Sequence, residues 1–87
     1  PTPVPVDFEI HIQPFNSIIQ AAITAELQDF FRREAIPGGT LYLSRIKEAI
    51  SAAAGEFAHV LVSPAANVVS DFGDLSTLGV ITFEEML

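Results

Sequence analysis

The sequence has no cysteine and few positive charges. Without cysteine, the chain can form neither disulfides nor cysteine-ligated zinc sites. Its 87 residues include eleven acidic and only four basic ones, for a net charge of −7. The basic residues are Arg32, Arg33, Arg45 and Lys47. Nucleic-acid binding needs clustered cations that replace the counterions around phosphates. The composition therefore argues against nucleic acid, and equally against an anionic membrane surface, as a partner.

Long hydrophobic runs are also missing, although 49% of the residues are hydrophobic. No apolar run approaches the roughly 20 residues that cross a membrane. The first ten residues lack the basic region and apolar run of a signal peptide. The length suits one small domain, residues 1–87. The first residue is not Met, so either Met was removed or the chain is a piece of a longer protein. The high apolar content of so short a chain leads us to expect that some of its surface is covered by other protein.

The beginning of the chain alternates between apolar and other side chains. Five alternations in a row predict a strand with one face in the core and one polar face. The core-facing residues are Val4, Val6, Phe8, Ile10 and Ile12.

A first helix is predicted from residue 17 to near Ala35. Ser17, with Gln20 three residues later, has the pattern of a capping box. The helix should end before Pro37, because proline disfavours helical geometry at the residue preceding it. Pro37 and Gly38 then predict a type II turn, in which the second central residue needs a positive φ.

A second helix follows a short extended segment, residues 41–43. Ser44 is the predicted N-cap, and Gly55 is the predicted C-terminal glycine. Apolar residues at helical spacing predict the buried face. They are Ile46, Ala49, Ile50 and Ala53.

A further strand is predicted at 57–63, after which 67–70 could resume the extended structure, and the last strand is predicted at 78–83, after a polar loop at 71–77. The resulting order is β-α-α-β-β. This order favours an α+β two-layer sandwich, with two helices packed on one face of a small, mostly antiparallel sheet.

The glycine turn and the serine after it could suggest catalysis. A phosphate-binding loop needs a lysine and a hydroxyl residue after its second glycine, but Thr40 and Leu41 follow Gly39. Ser44 lacks the surrounding glycines of a nucleophile elbow, and its capping role accounts for it. A turn followed by a capped helix is therefore favoured.

A metal site is the next possibility, because Asp7, Glu9 and His11 share one strand face. Residues i and i+2 of a strand are about 6.8 Å apart, so three such side chains cannot close on one ion unaided. His59 could help only if the strands pair in a suitable register. A solvated or partner-facing strand face is favoured, and no metal, cofactor or substrate site is predicted.

Two acidic groups are candidates for partner contacts. Asp71 and Asp74 flank Phe72 in the predicted loop, and Glu84 and Glu85 begin the tail that ends at Leu87. Either carboxylate pair could serve acid–base chemistry, but no cleft is predicted around them. An aromatic residue at a loop tip can be a contact residue or can pack back into its own core.

Three stretches in order carry a family resemblance: PGGTLYLSRIKEAISAAAGE (37–56), LVSPAANV (61–68) and LGVITF (78–83). Together with the first strand, PVPVDFEIHI, they closely resemble the C-terminal part of baseplate J-like proteins. These proteins are components of the baseplate wedge in contractile-tailed phages and related contractile injection systems. Their greater length suggests that this chain is a C-terminal domain of such a protein.

The resemblance implies a non-enzymatic structural role in the virion, at the tail baseplate, after assembly in the host cytoplasm. Its implied partners are other wedge subunits and copies of the chain itself. The family brings no catalytic residues. Two alternatives remain: a small regulatory ligand-binding module, which rests on fold analogy alone, and a hydrolase using Ser44 or a carboxylate pair.

Overall fold

The computed structural model describes residues 1–86, so Leu87 of the predicted tail lies outside the described residues. The elements are β1 (Thr2–Gln13), α1 (Ser17–Glu34), β2 (Thr40–Leu41), α2 (Leu43–Ser51), β3 (Ala58–Ser63), β4 (Val68–Val69) and β5 (Asp74–Glu85). Two helices and a sheet confirm the α+β class. The predicted β-α-α-β-β order is wrong, because β2 and β4 are short strands that pair antiparallel in a separate two-stranded sheet.

The main sheet has the order β3-β1-β5, with β1 at its centre. β1 pairs antiparallel with β3 and parallel with β5, so the sheet is mixed rather than mostly antiparallel. The parallel ladder begins where Thr2 is paired with Asp74. The predicted loop at 71–77 is therefore wrong beyond residue 73. Ser76 is buried instead, and its Oγ is 2.7 Å from Ser70 Oγ.

A bulge interrupts this ladder midway. Val6 is paired with Leu78 but Phe8 with Ile81, so β5 holds one extra residue. The N–H of Val80 donates to Asp7 Oδ1 at 2.9 Å. A Cβ on Gly79 would overlap this carboxylate and lie 3.0 Å from Val6 O. Asp7 and Gly79 therefore form one structural unit, and the Asp7 carboxylate has a backbone donor instead of a metal.

Helix α1 begins at Ser17, one residue earlier than it would if Ser17 were the N-cap. Asn16 is the N-cap, with an extended backbone and its Oδ1 accepting from Ile19 N–H at 2.8 Å. Ser17 is the first helical residue, so the prediction of a Ser17 cap is wrong. The helix ends as predicted, with Ala35 as its C-cap.

Helix α2 is capped from a distant segment. Its first residue, Leu43, donates its N–H to Asn67 Oδ1 at 2.8 Å. Tyr42 is the N-cap, with an extended backbone and no side-chain cap hydrogen bond, so the predicted Ser44 cap is wrong. The helix ends at Ser51, before Gly55, whose φ of 102° lies in the connection to β3.

The core lies between the helices and one face of the sheet. Phe8 packs edge-on against Phe31, with ring centroids 6.0 Å apart, and Phe30 does the same at 5.9 Å. The predicted buried face of α2 is confirmed at Ile46, Ala49 and Ile50; Ala53 is buried too, but it lies beyond the end of the helix. On β1 the three later apolar residues are buried, whereas Val4 is 42% exposed. Val4 lies outside the part of β1 that has a strand on each side.

Candidate protein-contact surface

Two tight turns lie at one end of the sheet. In the first, Gly38 has a φ of 69° and Gly39 N–H donates to Ile36 O at 3.0 Å, which confirms the turn predicted at Pro37 and Gly38. In the second, Gly73 has a φ of 86° and Asp74 N–H donates to Asp71 O at 2.9 Å. Both turns use glycine where the backbone is left-handed.

The turns are joined to each other and to the beginning of β1. Gly38 N–H donates to Asp74 O at 2.9 Å, and Thr2 N–H donates to Gly73 O at 2.9 Å. We call residues 36–39 and 71–74 the turn end. The amide groups of Gly38 and Gly39 are both bound to carbonyl oxygens, so neither is available to a phosphate.

Apolar side chains are exposed at and beside the turn end. Phe72 projects fully into solvent, with a relative exposure of 103%. Ile36 is 62% exposed, and Val69, three residues before Phe72, is 70% exposed. Of the flanking acids, Asp71 is exposed and Asp74 is half-buried. Of the two predicted positions for Phe72, at a solvent-exposed turn or packed into the core of its own domain, the structure shows the first.

The other two predicted contact residues lie at the opposite end of the sheet. Glu84 and Glu85 are exposed at the end of β5. Ten residues of strand separate Asp74 from Glu84, which corresponds to about 33 Å. The structure therefore brings Asp71, Phe72 and Asp74 together and places the two glutamates far from them.

Glu84 is beside His11 in the sheet register. His11 Nε2 lies 2.8 Å from Glu9 Oε2 on the polar face of β1. His59 is on the core side of β3, with its ring centroid 5.9 Å from that of Phe57. Burial lowers the pKa of His59, and the charge of Lys47 lowers it further. Across residues 1–86 no three His, Asp or Glu side chains are grouped so that they could hold a metal.

A groove between α1 and β5 was not predicted from the sequence. Its volume is about 580 Å³. The lining residues are Gln28, Phe31, Arg32 and Ala35 of α1 and its C-cap, and Leu75, Ser76, Thr77 and Leu78 of β5. The groove could not be predicted from the sequence, because residues 71–77 resemble a loop. Moreover, β5 lies beside α1 only because it pairs in parallel with β1.

Neither helix within residues 1–86 has the length and apolarity that a membrane crossing requires.

The described residues form an α+β domain whose most exposed apolar side chain, Phe72, lies on a hydrogen-bonded turn. Comparison with known families gives the class: the sequence model of the baseplate J-like protein C-terminal domain matches residues 6–84. The chain belongs to this family of structural components of the phage tail baseplate.

One curated relative is "Putative protein JayE" of Escherichia coli (strain K12). It is 46% identical over 78 residues, which are 90% of this chain and 30% of the relative. The chain thus spans about a third of the length of the curated relative that it matches.

Proposed function

We propose that this chain is a non-enzymatic assembly domain of a phage baseplate wedge protein, and that the turn end contacts other wedge subunits. Residues 1–87 would form a single domain at the C-terminal end of a longer baseplate J-like protein. The parent protein would assemble in the host cytoplasm, and its copies could also contact one another. The family membership supports the baseplate role.

The exposure of Phe72 is the observation that carries the proposal. Its side chain is fully exposed, yet the turn that holds it is fixed through hydrogen bonds at Asp71, Gly73 and Asp74. Burying an aromatic side chain that already sits on an ordered backbone costs little conformational entropy. Such anchors are enriched among the residues that dominate binding energies.

The acidic residues beside Phe72 indicate the charge of the partner surface. Asp71 and Asp74 lie on either side of it in a chain of net charge −7. Complementary charge speeds association and disfavours wrong partners. We therefore propose a partner surface with an apolar pocket and a basic rim.

The test uses the full-length parent protein with Phe72→Ala, Asp71→Asn and Asp74→Asn combined. Loss of an aromatic anchor costs about 2–4 kcal/mol of binding, equivalent to at least about thirtyfold weaker association. Assembled tails should be scarce by electron microscopy, while thermal unfolding of the isolated domain changes little. Ile18→Ala is the matched control, because Ile18 is 79% exposed on the first turn of α1, far from the turn end.

Normal tail assembly by the triple variant, with the control also normal, would remove the turn end from the interface.

The acidic residues at the opposite end of the sheet need a separate test. We propose that Glu84 and Glu85 form a separate acidic contact, so Glu84→Gln with Glu85→Gln should slow wedge association and weaken its salt dependence. Unchanged association rates at low salt would contradict this second contact.

A further inference from the structure

The outer edge of β5 is open where it faces α1. The strand order places β5 at the edge of the main sheet, with β1 as its partner on the inner side. Thr2 N–H donates to Gly73 O, and the parallel register then directs the N–H and C=O groups of Leu75 and Thr77 toward β1. Those of Ser76 and Leu78 point outward; Ser76 is only 5% exposed, so a partner would reach its backbone only through the groove that it lines. Within residues 1–86 no backbone partner is found for these outward groups.

The free edge at the beginning of β1 is protected in a way that residues 75–78 of β5 are not. On β1, the segment before residue 9 has no neighbour on the β3 side, and alternation directs Pro3 and Pro5 toward that open edge. Proline there has no N–H to offer an incoming strand, which is a common way to prevent edge-to-edge pairing. The later half of β5 carries a bulge and two glutamates, which are also protective. Residues 75–78 carry no proline, lysine or bulge.

The groove beside this segment follows four consecutive residues of one strand, 75–78, which span about 13 Å. Its other wall consists of residues from the last two turns of α1 and its C-cap. The groove has eight lining residues, far fewer than the roughly 20–30 on each side of a stable protein dimer. A single strand therefore fits better than a second folded domain.

The charge of the groove indicates which strand it would accept. Arg32 lines the groove with 76% of its side chain exposed, and its Nη1 is 3.7 Å from Asp29 Oδ1. Asp29 also forms the closer ion pair with Arg33, on the same helix. Arg32 is thus a loosely held cation in an acidic chain, beside the apolar side chains of Phe31 and Leu78.

We propose that residues 75–78 bind an extended segment of a partner protein as an added strand, with apolar and acidic side chains of the segment facing α1. Main-chain hydrogen bonds to Ser76 and Leu78 would supply affinity, and Phe31 and Arg32 would supply selectivity. This surface is distinct from the turn end, so either proposal can fail while the other holds.

The experiment measures binding of a defined heptapeptide, TETVTET, with acetylated and amidated ends. Its glutamates and central valine share one face in either strand direction. We expect NMR titration to shift the amide signals of Ser76 and Leu78 and to slow their hydrogen exchange. The amides of Leu75 and Thr77, which face β1, should already exchange slowly in the free domain. The matched peptide TKTVTKT should bind at least about fivefold more weakly, because its lysines oppose Arg32.

Three variants of the chain complete the test. Arg32→Glu should weaken TETVTET binding at least about fivefold, whereas Arg33→Glu, with the same change in net charge, should leave it within twofold. Ser76→Pro removes one outward N–H and should abolish the protection at Leu78. Three results would overturn the proposal: no binding of either peptide, equal effects of the two arginine variants, or a dimer in light scattering that buries the β5 edge in the free domain.

Discussion

Substitution of Gly79 tests whether the bulge in β5 depends on the Asp7 carboxylate. A Cβ at residue 79 would overlap Asp7 Oδ1 and approach Val6 O to 3.0 Å and Pro5 Cβ to 3.2 Å. To admit alanine, the carboxylate must leave and give up its hydrogen bond to Val80 N–H. Hydrogen bonds to charged groups contribute about 1.5–3 kcal/mol, and we take the lower end because Asp7 is exposed.

Crowding against the backbone of Val6 adds about 1 kcal/mol. Alanine recovers about 0.5 kcal/mol, because glycine loses more conformational entropy on entering a strand. Gly79→Ala should therefore lower the free energy of unfolding by about 2 kcal/mol, and by only about 0.5 kcal/mol when Asp7→Ala is already present. The two residues should thus be coupled by about 1.5 kcal/mol.

The assay is urea unfolding of the four proteins of this double-mutant cycle, with stabilities taken from the linear extrapolation. A domain with on the order of 4–13 kcal/mol of stability remains folded after such losses. Gly39→Ala is a useful control, because its Cβ would meet the side chain and the carbonyl oxygen of Ile36, at 3.1 Å from the oxygen, but no carboxylate. It should cost about 1 kcal/mol, and the same amount whether or not Asp7 is replaced. The same loss from Gly79→Ala in both backgrounds would show that the carboxylate is not the obstacle.

Two further predictions concern the cap of α2 and the histidine of β3. Asn67→Ala should lower the free energy of unfolding by about 1 kcal/mol, because Leu43 N–H loses its acceptor. Ser44→Ala should change this free energy by less than half as much. A larger effect of Ser44→Ala than of Asn67→Ala in urea unfolding would contradict the cap assignment. His59 has a pKa lowered by burial and by Lys47, so its neutral form is favoured in the fold; its contribution to stability should be complete above about pH 6.5 and be lost as the pH falls through the folded-state pKa. Thermal unfolding across that range should show a smaller acid loss for His59→Gln, and an identical pH profile would refute the assignment.

Several features that depend on local contacts were predicted correctly from the sequence. The three buried positions of α2 follow from helical spacing, because one face of a helix must meet the core. Gly38 could be placed in its turn because a positive φ favours glycine. The family was also recognisable from the ordered segments around Gly38, and the family comparison confirms it.

Predictions failed where the partner of a residue is far along the chain. Leu43 is capped by Asn67, which no local pattern connects to it. Asp74 and Ser76 are typical loop residues, and only their pairing with β1 makes them part of a strand. The same pairing places the two acidic groups at opposite ends of the sheet. Because this pairing could not be predicted, the sequence alone could not exclude a single surface containing Asp71 and Glu84. Asn16 and Ser17 are both good caps, and local sequence did not decide between them.

The parallel pairing of β1 with β5 joins the beginning of the chain to its end, and this has a consequence for how the domain folds. Thr2 cannot meet Asp74 until the segment that separates them has left the ribosome. Contacts between such distant residues close a large loop, and folds that depend on them form slowly. The two helices can form early, whereas β1 can pair with β5 only after β5 has been synthesised. Folding of this sheet is therefore completed only after the twelve residues of β5 have been synthesised and added beside β1.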